Sequence, residues 1–196
     1  MDTNYQNLAH QLLAPGTSIQ QSRNPDTATV TLEDKAELVY TDFSYIRPFT
    51  INSTATMDQV NDRMIACGIR LLFVTDTHGM LQGLVTYTDL FGEKPVRYIQ
   101  EHGGRREEIL AQDIMTPLVQ LETLQKKDVL RASVGDIVET IKSAGRQHML
   151  VSQTNDKGQQ TVTGLVSSTH LEKLLDIKIE LSPRAHTFAD LERALT

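Results

Sequence analysis

The stretch best equipped for chemistry is Thr86-Tyr87-Thr88-Asp89, which follows the strand-like Gly83-Leu84-Val85. A threonine answered three residues later by an acidic side chain is the pattern of a capping box, which stabilises a helix start by about 1 kcal/mol with no ligand at all. The same side chains also suit a ligand. The Thr86 hydroxyl and the free N–H groups of the helix start can meet a phosphate, with the helix dipole favouring the anion. The Asp89 carboxylate can accept from both hydroxyls of a ribose. Arg70, on the strand that opens the preceding hairpin, offers a charge to phosphate oxygens or pairs with a surface carboxylate, as most exposed arginines do.

Other reactive side chains are less well placed. His148 and His170 lack a companion at H-E-x-x-H spacing, and zinc wants three or four ligands, so no metal site is expected. Cys67 closes an amphipathic run and reads as a small apolar residue. Gly103-Gly104-Arg105-Arg106 is not followed by the lysine and hydroxyl of a phosphate-binding loop and reads as a break in a linker. No nucleophile, base and orienting group recur at a useful spacing, so the chain is not expected to be an enzyme.

Composition narrows the classes further. Among 196 residues, 25 are acidic and 19 basic, for a net charge of −6. Basic side chains that are outnumbered and scattered do not displace counterions from phosphates, so nucleic acid is not expected as a partner. The single cysteine fits a reducing compartment. Met1 to Asn7 is polar, without a basic cluster leading into an apolar stretch, so no secretory signal is expected and the protein is placed in the cytoplasm. The most apolar run, Leu71 to Val74, is far short of the roughly 20 residues that span a bilayer, so no membrane is expected either. Asn52-Ser53-Thr54 is then an unused glycosylation sequon.

The elements that must position these residues are stated twice along the chain. Thr41-Asp42-Phe43 answers Gln112-Asp113-Ile114; Val60, Met64 and Gly68 answer Ile137, Ile141 and Gly145; Gly83-Leu84-Val85-Thr86 answers Gly164-Leu165-Val166-Ser167. These offsets of 71, 77 and 81 residues imply two loop insertions, the second in the polar stretch Gln153 to Gln160. Each copy reads as strand, helix, strand, strand, helix. Thr56 with Gln59, and Ser133 with Asp136, form capping boxes for the two main helices. Met57, Val60 and Met64 face inward on the first, and Val134, Ile137, Val138 and Ile141 on the second. Arg70 to Thr75 with Leu81 to Val85, and Met149 to Val151 with Val162 to Val166, are hairpins. We divide the chain into an irregular N-terminal arm (1–38, with a short strand at Ala28 to Leu32), repeat 1 (39–92), a linker helix (93–112), repeat 2 (113–176) and a C-terminal extension (177–196). That extension carries a short helix with the apolar stripe Phe188, Leu191 and Leu195.

Three stretches resemble a tandem pair of CBS domains, the modules named after cystathionine beta-synthase. They are Gly68 to Asp76, similar to the family's second strand; Gly83 to Asp89, similar to its Gly-hydrophobic-x-Ser/Thr-x-x-Asp signature; and Asp113-Ile114-Met115-Thr116-Pro117, similar to the usual opening of a second copy. The resemblance covers about residues 39 to 176 and is to a stand-alone, bacterial-type protein of this family. It implies an α/β (α+β) fold in which two β-α-β-β-α repeats pack with pseudo-two-fold symmetry into one Bateman-type module. It further implies a homodimer with clefts for an adenine nucleotide or adenosyl compound such as AMP, ADP, ATP or S-adenosylmethionine, no required cofactor, and an unidentified regulated protein partner. Carried onto this sequence, Thr86, Asp89 and Arg70 would hold ribose and phosphate while Ile51 and Ile69 sandwich the adenine. Repeat 2 departs from the pattern: His170 stands at the ribose aspartate's place in Ser167-Ser168-Thr169-His170, and His148 supplies the basic strand position that Leu71 lacks in repeat 1. One ordinary adenosine site around Asp89 is expected, with the second cleft empty, altered or specialised. The alternative is a ligand-free structural or protein-interaction module.

Overall fold

The structure, a computed structural model, describes residues 30–182. The expected helix carrying Phe188, Leu191 and Leu195 lies outside these residues, as do Ala28 and Thr29 of the expected first strand; Val30 to Leu32 form no strand.

Each repeat is built on a hairpin and a helix. In repeat 1, β3 (Leu71–Thr75) pairs antiparallel with β4 (Leu81–Thr86), and a short parallel strand, β2 (Thr50–Asn52), joins the other edge of β3. Helix α1 (Met57–Cys67) starts on the Thr56/Gln59 capping box and stops at Gly68, whose left-handed φ of 64° is a conformation that side chains with a Cβ resist. Repeat 2 repeats the plan with β6 (Thr123–Gln125), α6 (Val134–Ala144), β7 (His148–Thr154) and β8 (Gln160–Ser167), and Gly145 closes α6 at φ 61°. The expected apolar faces of both helices are buried. Short helices α2 (Tyr87–Phe91) and α7 (Ser168–Leu175) follow the hairpins, and α3 (Lys94–His102) links the repeats.

The chain opening each repeat does not join its own sheet. β1 (Thr41–Asp42) pairs with β8 of repeat 2, and β5 (Thr116–Pro117) pairs with β4 of repeat 1. The two sheets therefore run β2-β3-β4-β5 and β1-β8-β7-β6. The exchange extends upstream. The end of the N-terminal arm docks on repeat 2, where Val134 and Gly135, at the start of α6, donate N–H bonds to the carbonyls of Asp34 (2.7 Å) and Leu32 (2.8 Å). Ala36 and Val39 enter the core of repeat 2. Symmetrically, Met57 of α1 donates to the Ile109 carbonyl (3.1 Å), while Ala111 and Ile114 of α4 (Ala111–Ile114) fill the core of repeat 1. Lys126, on α5 (Lys126–Val129), clips β1 in place by an ion pair of 3.0 Å to Asp42. The Ser44 backbone N–H and, secondarily, Lys126 hold the Asp42 carboxyl below its ordinary pKa.

This register corrects the alignment of the repeats. Equivalent residues lie 75 apart at the leading strands (Thr41 and Thr116), 73 at the short parallel strands (Thr50 and Thr123), 77 at the helix caps (Gly68 and Gly145) and 81 at the hairpin returns (Gly83 and Gly164). The expected match of Thr41-Asp42-Phe43 with Gln112-Asp113-Ile114 sets a strand against the helical turn α4, because both carry an aspartate ahead of an apolar residue. The additional length of repeat 2 lies in α5 and in a longer hairpin.

Three apolar clusters hold the assembly together. One lies under the helices of each repeat, and the third joins the two sheets through Leu71, Phe73, Leu84 and Leu150, with Phe43 edge-on to Phe73 at 5.6 Å. That third cluster has a cleft on either side.

Candidate functional site

The clefts are built from matching parts. Tyr87 N–H donates to the Arg70 carbonyl and Ser168 N–H to the Gln147 carbonyl, each at 2.9 Å. Arg70 thus corresponds to Gln147, Ile69 to Arg146 and Leu71 to His148, as Thr86 does to Ser167 and Asp89 to His170. Packing sheet on sheet sets the hairpin return of one repeat against the helix cap and first strand residues of the other. One cleft accordingly combines Thr86 and Asp89 with Arg146 and His148, and the other combines Ser167 and His170 with Ile69 and Arg70.

The narrow cleft, about 230 Å³, is lined by side chains that pair with one another. One Asp89 carboxylate oxygen accepts from the Thr86 N–H and hydroxyl, both at 2.7 Å. The other is 2.7 Å from Lys94 Nζ, and the Asp89 side chain is only 12% exposed. Lys94 Nζ also donates to the Ile114 carbonyl (2.9 Å) and the Thr116 hydroxyl (3.3 Å), so the ammonium's three protons are all used. Across the cleft Arg146 donates to Glu122 at 2.8 Å. Every charge here has a partner of opposite sign.

The wide cleft, about 820 Å³, is of another kind. Arg47, Arg70 and Lys173 line it with His148 and His170, and among the described residues no carboxylate does. None of the three permanent cations has an ion-pair partner among the described residues. Phe43, Phe49 and Tyr87 supply aromatic surface, with the Arg70 guanidinium 5.8 Å from the centre of the Tyr87 ring. Ligand clefts typically measure about 300–1,000 Å³, a range that includes the wide cleft and excludes the narrow one. Burial pushes the pKa of half-buried His148, which borders both clefts, below its ordinary value and favours the neutral ring.

The expected site residues are thus regrouped. Thr86 borders both clefts, but Arg70 and Ile69 do not share one with Asp89; they face Ser167 and His170. Ile51 lines neither, since its place on β2 packs it against the core of repeat 1. His148 and His170 line one cleft, yet no three His, Cys, Asp or Glu side chains converge as metal ligands among the described residues. Lys94, Arg47 and Lys173 were not singled out from the sequence. Lys173 follows His170 by three residues, a spacing visible in the sequence that puts the two on one helix face.

Residues 42–95 match the family model of the CBS domain. The fold of the described residues matches that of CBS-domain pair structures. A crystal structure of an uncharacterized conserved protein from Pyrococcus horikoshii is similar at a TM-score of 0.52 and 15% identity, covering 78% of this chain and 100% of that one. The crystal structure of CBSX2 in complex with AMP is similar at a TM-score of 0.50 and 14% identity, covering 70% of this chain and 93% of that one. No curated protein matches the sequence. No helix of the described residues is long and apolar enough to cross a membrane.

Proposed function

We propose that the protein is a non-catalytic regulatory module that binds an adenine nucleotide in the wide cleft and passes occupancy to a partner by a change in the angle between its repeats. One observation carries this reading: a cleft of about 820 Å³ holds three permanent cations and aromatic surface, and among the described residues no carboxylate pairs with them or lines it, although the chain's net charge is −6. Anions and planar bases are the ligands such a lining favours. Arg70 and His170 face the ligand, with Ile69 and Ser167 beside them. The AMP held by CBSX2 supports the choice of ligand class. A ligand signals only by binding one arrangement better than another. Residues from both repeats line this cleft, so its width depends on that angle.

The test is a thermal-shift panel of AMP, ADP, ATP, NAD and S-adenosylmethionine. A ligand at a hundredfold excess over its Kd adds about 2.7 kcal/mol to stability. For a chain of this size that raises the Tm by roughly 5–10 °C. A shift that disappears in Arg70→Gln is the expected result. No shift with any compound would leave the ligand-free interaction module as the better reading.

A further inference from the structure

Resting on the nucleotide reading above, we infer that the wide cleft selects a metal-free nucleoside polyphosphate, recognised through its phosphates and not through its ribose. The observation is a division of labour between the clefts. The carboxylate fitted to grip a ribose diol, Asp89, lies in the narrow cleft and is consumed by Thr86 and Lys94. Its counterpart in the wide cleft is His170, which has at most one acceptor nitrogen and cannot hold two adjacent hydroxyls. Among the described residues the 2′-hydroxyl therefore has no carboxylate to read it.

The phosphates, by contrast, have several partners. Arg47, Arg70 and Lys173 bring three permanent charges from three separate parts of the fold: the segment before β2, the start of β3 and helix α7. Arginine forks match phosphate oxygens two at a time, and lysine adds a point charge. A monophosphate carries about two negative charges and a triphosphate about four, so only the longer chain can neutralise all three cations. The same lining argues against the sulfonium of S-adenosylmethionine, which would enter a cleft holding three positive charges and, among the described residues, no counter-charge. It also argues against a nucleotide complexed with magnesium. Mg²⁺ binds through carboxylates and phosphates, and here it finds no carboxylate among the described residues while neutralising the charge that the arginines read.

The experiment is isothermal titration of the full chain with AMP, ADP, ATP and 2′-deoxy-ATP in EDTA, and with ATP in excess Mg²⁺. Affinity is expected to rise at least about tenfold from AMP to ATP, the scale of one added charge-assisted hydrogen bond. Deoxy-ATP should bind within about threefold of ATP, and Mg²⁺ should weaken ATP several-fold. Inorganic triphosphate should compete, and Lys173→Gln, an exposed change that spares the core, should reduce the preference for ATP over AMP. Equal binding of AMP and ATP, or a loss of more than about tenfold for deoxy-ATP, would overturn the inference and leave nucleotide binding intact. Absence of binding by all of them would overturn both.

Discussion

Replacing Asp89 with alanine separates two roles that the same sequence pattern supports. In the structure the carboxylate is an internal fixture, holding the start of α2 through Thr86 and the linker helix through Lys94. Loss of the cap costs about 1 kcal/mol. Loss of the largely buried half of the ion pair costs about 1.5–3 kcal/mol, and we take the lower end because Lys94 is 40% exposed and can turn to water. Together these give about 2–3 kcal/mol, or roughly 4–12 °C in Tm for a chain of this size. Urea denaturation of wild type, Asp89→Ala, Lys94→Met and the double variant measures it. The double variant should be less destabilised than the sum of the singles by about 1 kcal/mol, because one interaction is removed twice. Nucleotide affinity, measured where the variant remains folded, should change by less than about twofold. The opposite pattern, a stability loss under about 0.5 kcal/mol with nucleotide binding abolished, would refute the reasoning and return Asp89 to the ligand.

Two further outcomes follow from the geometry. A Cβ on Gly164 would meet the Thr41 carbonyl and the Tyr40 ring, so Gly164→Ala should push β1 off its sheet at a cost of about 3 kcal/mol, read as a lowered urea midpoint; an unchanged midpoint would show that β1 is not seated there. His148 should make the fold acid-sensitive. Its folded pKa lies below the unfolded value of about 6.5, so the unfolded chain binds the additional proton first and stability falls as pH drops below that value, by at most about 1.4 kcal/mol per pH unit. His148→Gln should remove that slope between pH 7.5 and 5.5, and an undiminished slope would assign it elsewhere.

How much was legible depended on how long each signal ran. The helices and hairpins announced themselves because Val60 and Met64, or Leu81 to Val85, repeat a period over several turns or residues and end on a cap or a turn. The exchanged strands did not. Thr41–Asp42 and Thr116–Pro117 are two residues each, too short to carry any period, and their partners lie far along the chain. The candidate site suffered for the same reason. Arg70 and Asp89 are near neighbours in sequence and belong to one repeat, but the sheets meet face to face, so the start of β3 looks toward the far repeat's return strand. His170 stands out in the sequence as a departure from the pattern and His148 as its basic strand residue, yet their setting beside Arg70 depends on the packing. The Lys94 bridge to Asp89 spans an irregular turn whose course no local rule dictates.

The exchanged strands also decide what can be moved as a unit. A single repeat cut from the chain would carry a strand belonging to another sheet and leave its own sheet with a bare edge, open to whichever chain arrives first. Such fragments would tend to find each other and rebuild the pair across two molecules. Cleavage at the exposed Gly103-Gly104 junction, by the same logic, should leave the halves clasped. The smallest piece that can be grafted onto another protein is therefore the interlocked pair.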